Sequence, residues 1–131
     1  MNESDNTRAI NQRVKDAGVY ALKIQTLMNN AVPDCWYSGF KHDLWVEMKY
    51  ISEARMPQKD STPIKSMLSD LQSKWLNDRY NEGRNVAVII SSKQGCVAQI
   101  NPLMWNTPIT KKELIMTRTQ VIKWIIGKTN G

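Results

Sequence analysis

Residues 33–50 read Pro33-Asp34-Cys35-Trp36-Tyr37-Ser38-Gly39-Phe40-Lys41-His42-Asp43-Leu44-Trp45-Val46-Glu47-Met48-Lys49-Tyr50, and this stretch decides the fold. Two strand-like runs, residues 35–37 and 44–50, flank Ser38-Gly39, the pattern of a β-hairpin. A turn centred on Phe40-Lys41 sets Asp34 opposite Glu47, Trp36 opposite Trp45 and Ser38 opposite Asp43. Directly opposed residues share a face of the sheet. One face then carries Cys35, Tyr37, Leu44, Val46, Met48 and Tyr50, almost wholly apolar, and must be the core side. The other carries Asp34, Trp36, Asp43, Trp45, Glu47 and Lys49.

Like charges opposed across a strand pair destabilise it. A bound divalent cation is one relief, because Mg²⁺ takes carboxylate, water and phosphate oxygens as ligands. Lys49, on the same face, could then hold an attacking water or a phosphate oxygen. Such a site activates water and stabilises charge on a phosphoryl group. The blander reading is a solvated Glu47–Lys49 pair, with Asp34 capping the loop after Pro33; the strand register decides between them.

Upstream, residues 5–17 read as a helix capped by Ser4, with Ile10, Val14 and Ala17 at helical spacing and Gly18 at the stop. Residues 19–25 alternate as a strand, and Asn29, Asn30 and Pro33 mark a loop. Downstream, residues 52–68 carry Pro57 and Pro63 and read as a loop. Ser69 and Gln72 form a capping box that opens a helix to about Asn81, with Gly83 just beyond. Residues 86–90 form a buried strand and 97–100 another, while Pro102 and Pro108 bracket a loop. Thr110-Lys111-Lys112-Glu113 is a second capping box, predicting a last helix to about Ile126 ended by Gly127. The order is helix, three strands, helix, strand, then a further strand and helix. That is a mixed α/β sheet flanked by helices, with residues 1–131 as a single domain.

The chain carries 18 basic against 12 acidic residues, a formal charge of +6. A basic surface favours polyanions, nucleic acid first and an anionic membrane second, although many small proteins are basic for solubility alone. The longest purely apolar run, residues 86–90, is far too short to span a membrane. The polar start, with Glu3 and Asp5, predicts no secretory signal. Cys35, Cys96 and the lone His42 cannot build a Cys/His zinc site or a serine triad with a recognisable nucleophile motif. Two free thiols fit a reducing cytoplasm, or host cytoplasm for a phage-borne chain. Gly-rich phosphate loops are absent.

Pro33-Asp34 followed beyond the hairpin by Glu47-Met48-Lys49 resembles the PD-(D/E)xK signature of metal-dependent nucleases. The Ser69-x-x-Gln72 helix, Trp75-Leu76, Gly83 and the strand Val86-Ala87-Val88-Ile89-Ile90 resemble the small VRR-NUC and Holliday-junction-resolvase-like branch. The likeness covers roughly residues 5–92. It implies a restriction-endonuclease-like core of helix, three strands, helix and strand. By the same resemblance, Asp34 and Glu47 ligate Mg²⁺ or Mn²⁺ with the backbone carbonyl of Met48, and Lys49 polarises the attacking water. Gln72 positions the metal's water shell or a phosphate, or simply closes its capping box; both roles can hold together. The family commonly supplies a further acid from the first helix, and Glu3 is the candidate here. Lys23 resembles a lysine found ahead of the Pro-Asp pair and is a candidate nucleic-acid contact.

Trp36 and Trp45 could stack on bases of single-stranded DNA, or pack beneath a helix as aromatics more often do. Lys111, Lys112 and Arg118, on one predicted helix, could bind phosphates or form a solvated face. The expected function is a Mg²⁺- or Mn²⁺-dependent DNA endonuclease that selects DNA structure over sequence, with a homodimer favoured by two-fold junctions. The alternative is a nucleic-acid-binding module on the same fold with little or no catalysis.

Overall fold

A computed structural model describes residues 1–24 and 31–131. The predicted strand position Gln25 and the loop residues Asn29 and Asn30 lie outside the described residues. The chain forms α1 (Glu3–Asp16), β1 (Tyr20–Lys23), β2 (Cys35–Ser38), β3 (Asp43–Ile51), α2 (Asp70–Asn81), β4 (Val86–Ser92), β5 (Cys96–Gln99), the short α3 (Pro102–Trp105) and α4 (Arg118–Asn130). The strands lie in the order β1-β2-β3-β4-β5. All neighbours are antiparallel except β3 and β4, which run parallel across the α2 crossover. This is the mixed α/β architecture expected from the sequence.

The hairpin register is the one read from the turn. Cys35 pairs with Val46, Trp36 with Trp45, Tyr37 with Leu44 and Ser38 with Asp43. Cys35, Tyr37, Leu44, Val46 and Met48 are buried against Ile10, Val14, Val121 and Ile125 of α1 and α4. Tyr50 is only half-buried. The opposite face is not open along β3 either. A second cluster, including Leu76, Val88, Ile90 and Trp105, covers it under α2 and α3. β3 is thus a central strand covered on both sides, which is why Glu47 is 2% exposed.

Three helical boundaries differ from expectation. Asn2, not Ser4, caps α1, its side chain accepting from the Asp5 N–H, so Glu3 falls inside the first turn. The Thr110 capping box closes only a single 3-10 turn, Lys111–Glu113. Leu114 is then buried in the core and Met116 pairs with Cys96, so the chain must extend before it can coil again. α4 starts one box later, with Thr117 accepting from the Gln120 N–H, and it runs through Gly127 to Asn130. Its end is held by the hairpin tip: the Lys41 and His42 N–H groups both donate to the Thr129 carbonyl. The stops after α1 and α2 fall at glycines as predicted, Gly18 and Gly83, both at positive φ, where side chains with a Cβ are strained. Residues 52–68 contain a 3-10 turn, Glu53–Arg55, and Ile64 bridges Ile109. Among the described residues, no helix is long and apolar enough to cross a membrane. Both cysteines are free and buried.

Candidate metal centre

β3 outruns β2. The last pair of the β2–β3 ladder is Cys35 with Val46, so β3 beyond Val46 has β4 on one side and, among the described residues, no strand on the other. In a strand, the N–H and C=O of one residue point the same way, and alternate residues point to opposite neighbours. Met48 and Tyr50 therefore turn their backbone groups toward the missing partner. An acid takes over part of that edge. Asp34 Oδ2 accepts the Met48 N–H at 3.1 Å. Glu3 of α1 lies near the Tyr50 backbone. The Met48 carbonyl shares this edge with Asp34.

Glu47 projects onto the α2 side beside Asp34. Its Oε2 accepts from Gln72 Nε2 at 3.2 Å and pairs with Lys49 Nζ at 3.3 Å. Its Oε1 is buried and has no hydrogen-bond partner among the described residues. Burial raises the Glu47 carboxyl to about 8, and the neighbouring Asp34 charge adds to the rise while Lys49 opposes it. An orphaned carboxylate oxygen costs roughly 1–3 kcal/mol or more when left unmade, so this corner is built to receive something positive. The donor set of two carboxylates and a nearby carbonyl is all oxygen, which suits a hard divalent cation.

Gln72 is held from both ends. Its Oε1 accepts the Ser69 N–H at 3.0 Å, its N–H donates to Ser69 Oγ at 3.1 Å, and its Nε2 reaches Glu47. The capping box and the site contact coexist, as the sequence allowed. Glu3 stands beside the acid pair, within the field of Asp34, Lys49 and Lys23. Desolvation is the main cause of its raised pKa, followed by Asp34. Among the described residues, no group of three His, Cys, Asp or Glu side chains is gathered closely enough to hold a metal ion.

The remaining candidates are dispersed. Trp36 and Trp45 are half-buried links in a row that runs Tyr20, Trp36, Trp45, Trp75, with ring centroids 5.5, 5.9 and 5.5 Å apart. Trp45 packs under α2, while the row opens to solvent at Tyr20, which is 56% exposed. Lys111 and Lys112 sit on the 3-10 turn and Arg118 on α4, so they do not share a helix face as expected. The intervening Leu114 and Met116 are tied into the core and the sheet edge. Lys111 Nζ donates to the Gln58 carbonyl. His42 is exposed. The sequence reading missed Asn11, buried in α1, which accepts from the Tyr37 hydroxyl at 2.5 Å and donates to Cys35 Sγ at 3.6 Å. A polar residue at a core position of an amphipathic helix was the signal available.

No protein-family model and no curated protein matches the sequence. The fold resembles that of an archaeal Holliday junction resolvase. The solved structure is Hjc of the hyperthermophile Archaeoglobus fulgidus, matched over 90% of this chain and 96% of that chain with a TM-score of 0.57. Identity is 14%, so the likeness is one of fold. The shared fold is a mixed five-stranded sheet with flanking helices, and the chain spans nearly the whole of it.

Proposed function

We propose that this chain is a divalent-metal-dependent DNA endonuclease of the PD-(D/E)xK superfamily, a single domain akin to its small VRR-NUC and resolvase-like members. One observation carries the reading: on the unpaired edge of β3, Asp34 and Glu47 come together with Lys49, and one Glu47 oxygen is buried without a partner. The likeness to a junction resolvase supports DNA as substrate and selection by DNA structure, such as a junction, flap or end, over sequence. The +6 charge agrees with a polyanionic substrate.

Asp34, Glu47 and the Met48 carbonyl would hold Mg²⁺ or Mn²⁺. The ion would supply Lewis-acid stabilisation of phosphoryl charge and lower the pKa of a water. Asp34 and the Met48 backbone fix each other through their hydrogen bond, which sets the ligand geometry in advance. Gln72 and Lys49 both hold Glu47 Oε2, leaving Oε1 as the oxygen available to ligate a cation. The Lys49 ammonium, 16% exposed at its side chain, can orient the attacking water and offset charge on the phosphate. A homodimer, by which two sites would meet a two-fold junction, belongs to the same proposal.

The test is cleavage of labelled four-way junction, flap, duplex and single-stranded DNA in Mg²⁺ and Mn²⁺, with Lys49→Ala alongside. Metal-dependent cleavage that vanishes in the variant is the expected result. Intact binding with no cleavage of any DNA would replace this reading with the binding module.

A further inference from the structure

A cleft of about 630 Å³ lies apart from the acid pair, and Tyr50, next in sequence to Lys49, forms part of its wall. Its rim carries Arg118, from the first turn of α4, and Lys93. Arg118 is half-buried and makes no ion pair among the described residues; its guanidinium donates to the Met1 sulfur. Glu53 is the acid on this rim, and Lys93 neutralises it at 2.9 Å.

Asn6 of α1 reaches the same cleft. It is 3% exposed, yet its side chain makes no hydrogen bond among the described residues. A buried amide carries two donors and an acceptor that ordinarily find partners. The neighbouring Ser91, paired in the sheet with Tyr50 and Cys96, has a buried hydroxyl that is likewise unpartnered. An uncompensated guanidinium, the Asn6 amide and the N-terminus of a 13-residue helix converge on one space. Together they match an anion with several acceptor oxygens.

We propose that this cleft is a second phosphate-binding subsite, which takes a phosphodiester of the substrate strand flanking the one at the acid pair. The proposal rests on the nuclease reading for the source of the phosphate, but not for the site itself. Tyr50 and the first turn of α1 join the two places: Glu3 lies toward Lys49 and Asn6, one turn on, toward the cleft. Arg118 anchors the strand by charge, and Asn6 reads a phosphate oxygen by hydrogen bonding. The subsite would set the strand's direction across the site without reading sequence, because phosphates position and bases specify.

The test begins without DNA. Inorganic phosphate is titrated into the full chain, and backbone amide shifts are followed by NMR in wild type, Arg118→Ala and Asn6→Ala. Saturable shifts at Arg118, Thr119 and Gly95, lost in Arg118→Ala, are expected. Their absence at millimolar phosphate, or equal shifts at lysines across the surface, would overturn the subsite. Binding of labelled junction DNA in Ca²⁺ follows. Arg118→Ala should weaken it several-fold and lower the salt slope by about one phosphate contact. Lys15→Ala, at the far end of α1, makes the same charge change and should leave the slope nearly unaltered. Equal losses in both variants would count against the proposal. Phosphate shifts at the cleft in a chain that cleaves no DNA would keep the subsite and remove the nuclease reading.

Discussion

Gln72 Nε2 lies 3.2 Å from Glu47 Oε2 while the same side chain closes the α2 capping box through Ser69. A local helix signal and a long-range contact therefore meet in one residue. The helix cap fixes the glutamine rotamer, and the fixed glutamine orients the carboxylate so that only Oε1 remains free.

Comparing Ser69→Ala with Gln72→Ala separates these roles. Both remove a capping interaction and should each lower stability in urea by about 1 kcal/mol. Only Gln72→Ala takes away the amide that holds Glu47 Oε2 alongside Lys49, so only it should reduce metal-dependent cleavage. Equal activity in the two variants would show that Gln72 matters to the helix alone.

Lys49→Ala should reduce cleavage by roughly 10²–10⁴-fold, the range for loss of a group that handles the attacking water, with DNA affinity changed far less. Single-turnover kinetics on the best-cleaved DNA provide the measurement. A fall in affinity that accounts for the whole loss would make Lys49 a phosphate contact only.

Metal-free stability should depend on pH through Glu47. Its folded pKa, about 8, lies above the ordinary carboxylate range. The folded state therefore binds the proton more tightly than the unfolded chain, and stability falls as pH rises from the carboxylate range through about 8. The stabilisation is complete at low pH and gone above 8. Melting temperatures in EDTA between pH 5 and 9 should trace this fall (roughly the window on either side of that titration). Glu47→Gln should flatten it, and Mn²⁺ should restore stability at high pH in wild type. A slope that persists in Glu47→Gln would assign it to another group.

Gly39→Ala should loosen the hairpin from α4. A Cβ at Gly39 would lie 2.6 Å from the Thr129 carbonyl, in the helix end that the Lys41 and His42 N–H groups cap. Crowding of this kind costs about 1–3 kcal/mol. Phe40→Ala, at a side chain 94% exposed, should change stability by less than about 0.5 kcal/mol. Chemical denaturation of the pair gives the comparison.

Much of this molecule could be read locally. Hairpin register follows from the Ser38–Lys41 turn and from alternation, because a slip by one residue would expose Tyr37, Leu44 and Val46 together. The ladder ends at Cys35 with Val46, one position short of the predicted Asp34–Glu47 pair, and the two carboxyl groups are still neighbours. The Ser69–Gln72 box and the glycine stops at Gly18 and Gly83 are likewise local, since caps and positive φ involve only neighbouring residues. The Thr110 box misled because a box reports a turn and not the length of helix that follows. Leu114 and Met116 were claimed by the core and by β5.

The sequence by itself determined the elements, their order, the hairpin pairing and the acidic and basic residues that share its face. These rest on short-range periodicity and turn chemistry. Only the tertiary structure decided that β3 is covered on both faces, that its edge is unpaired beyond Val46, and that Glu3, Gln72 and Arg118 come near it from three different helices. Burial and the resulting shift of Glu47 depend on what packs around it, and packing partners distant along the chain leave no periodic mark in the sequence.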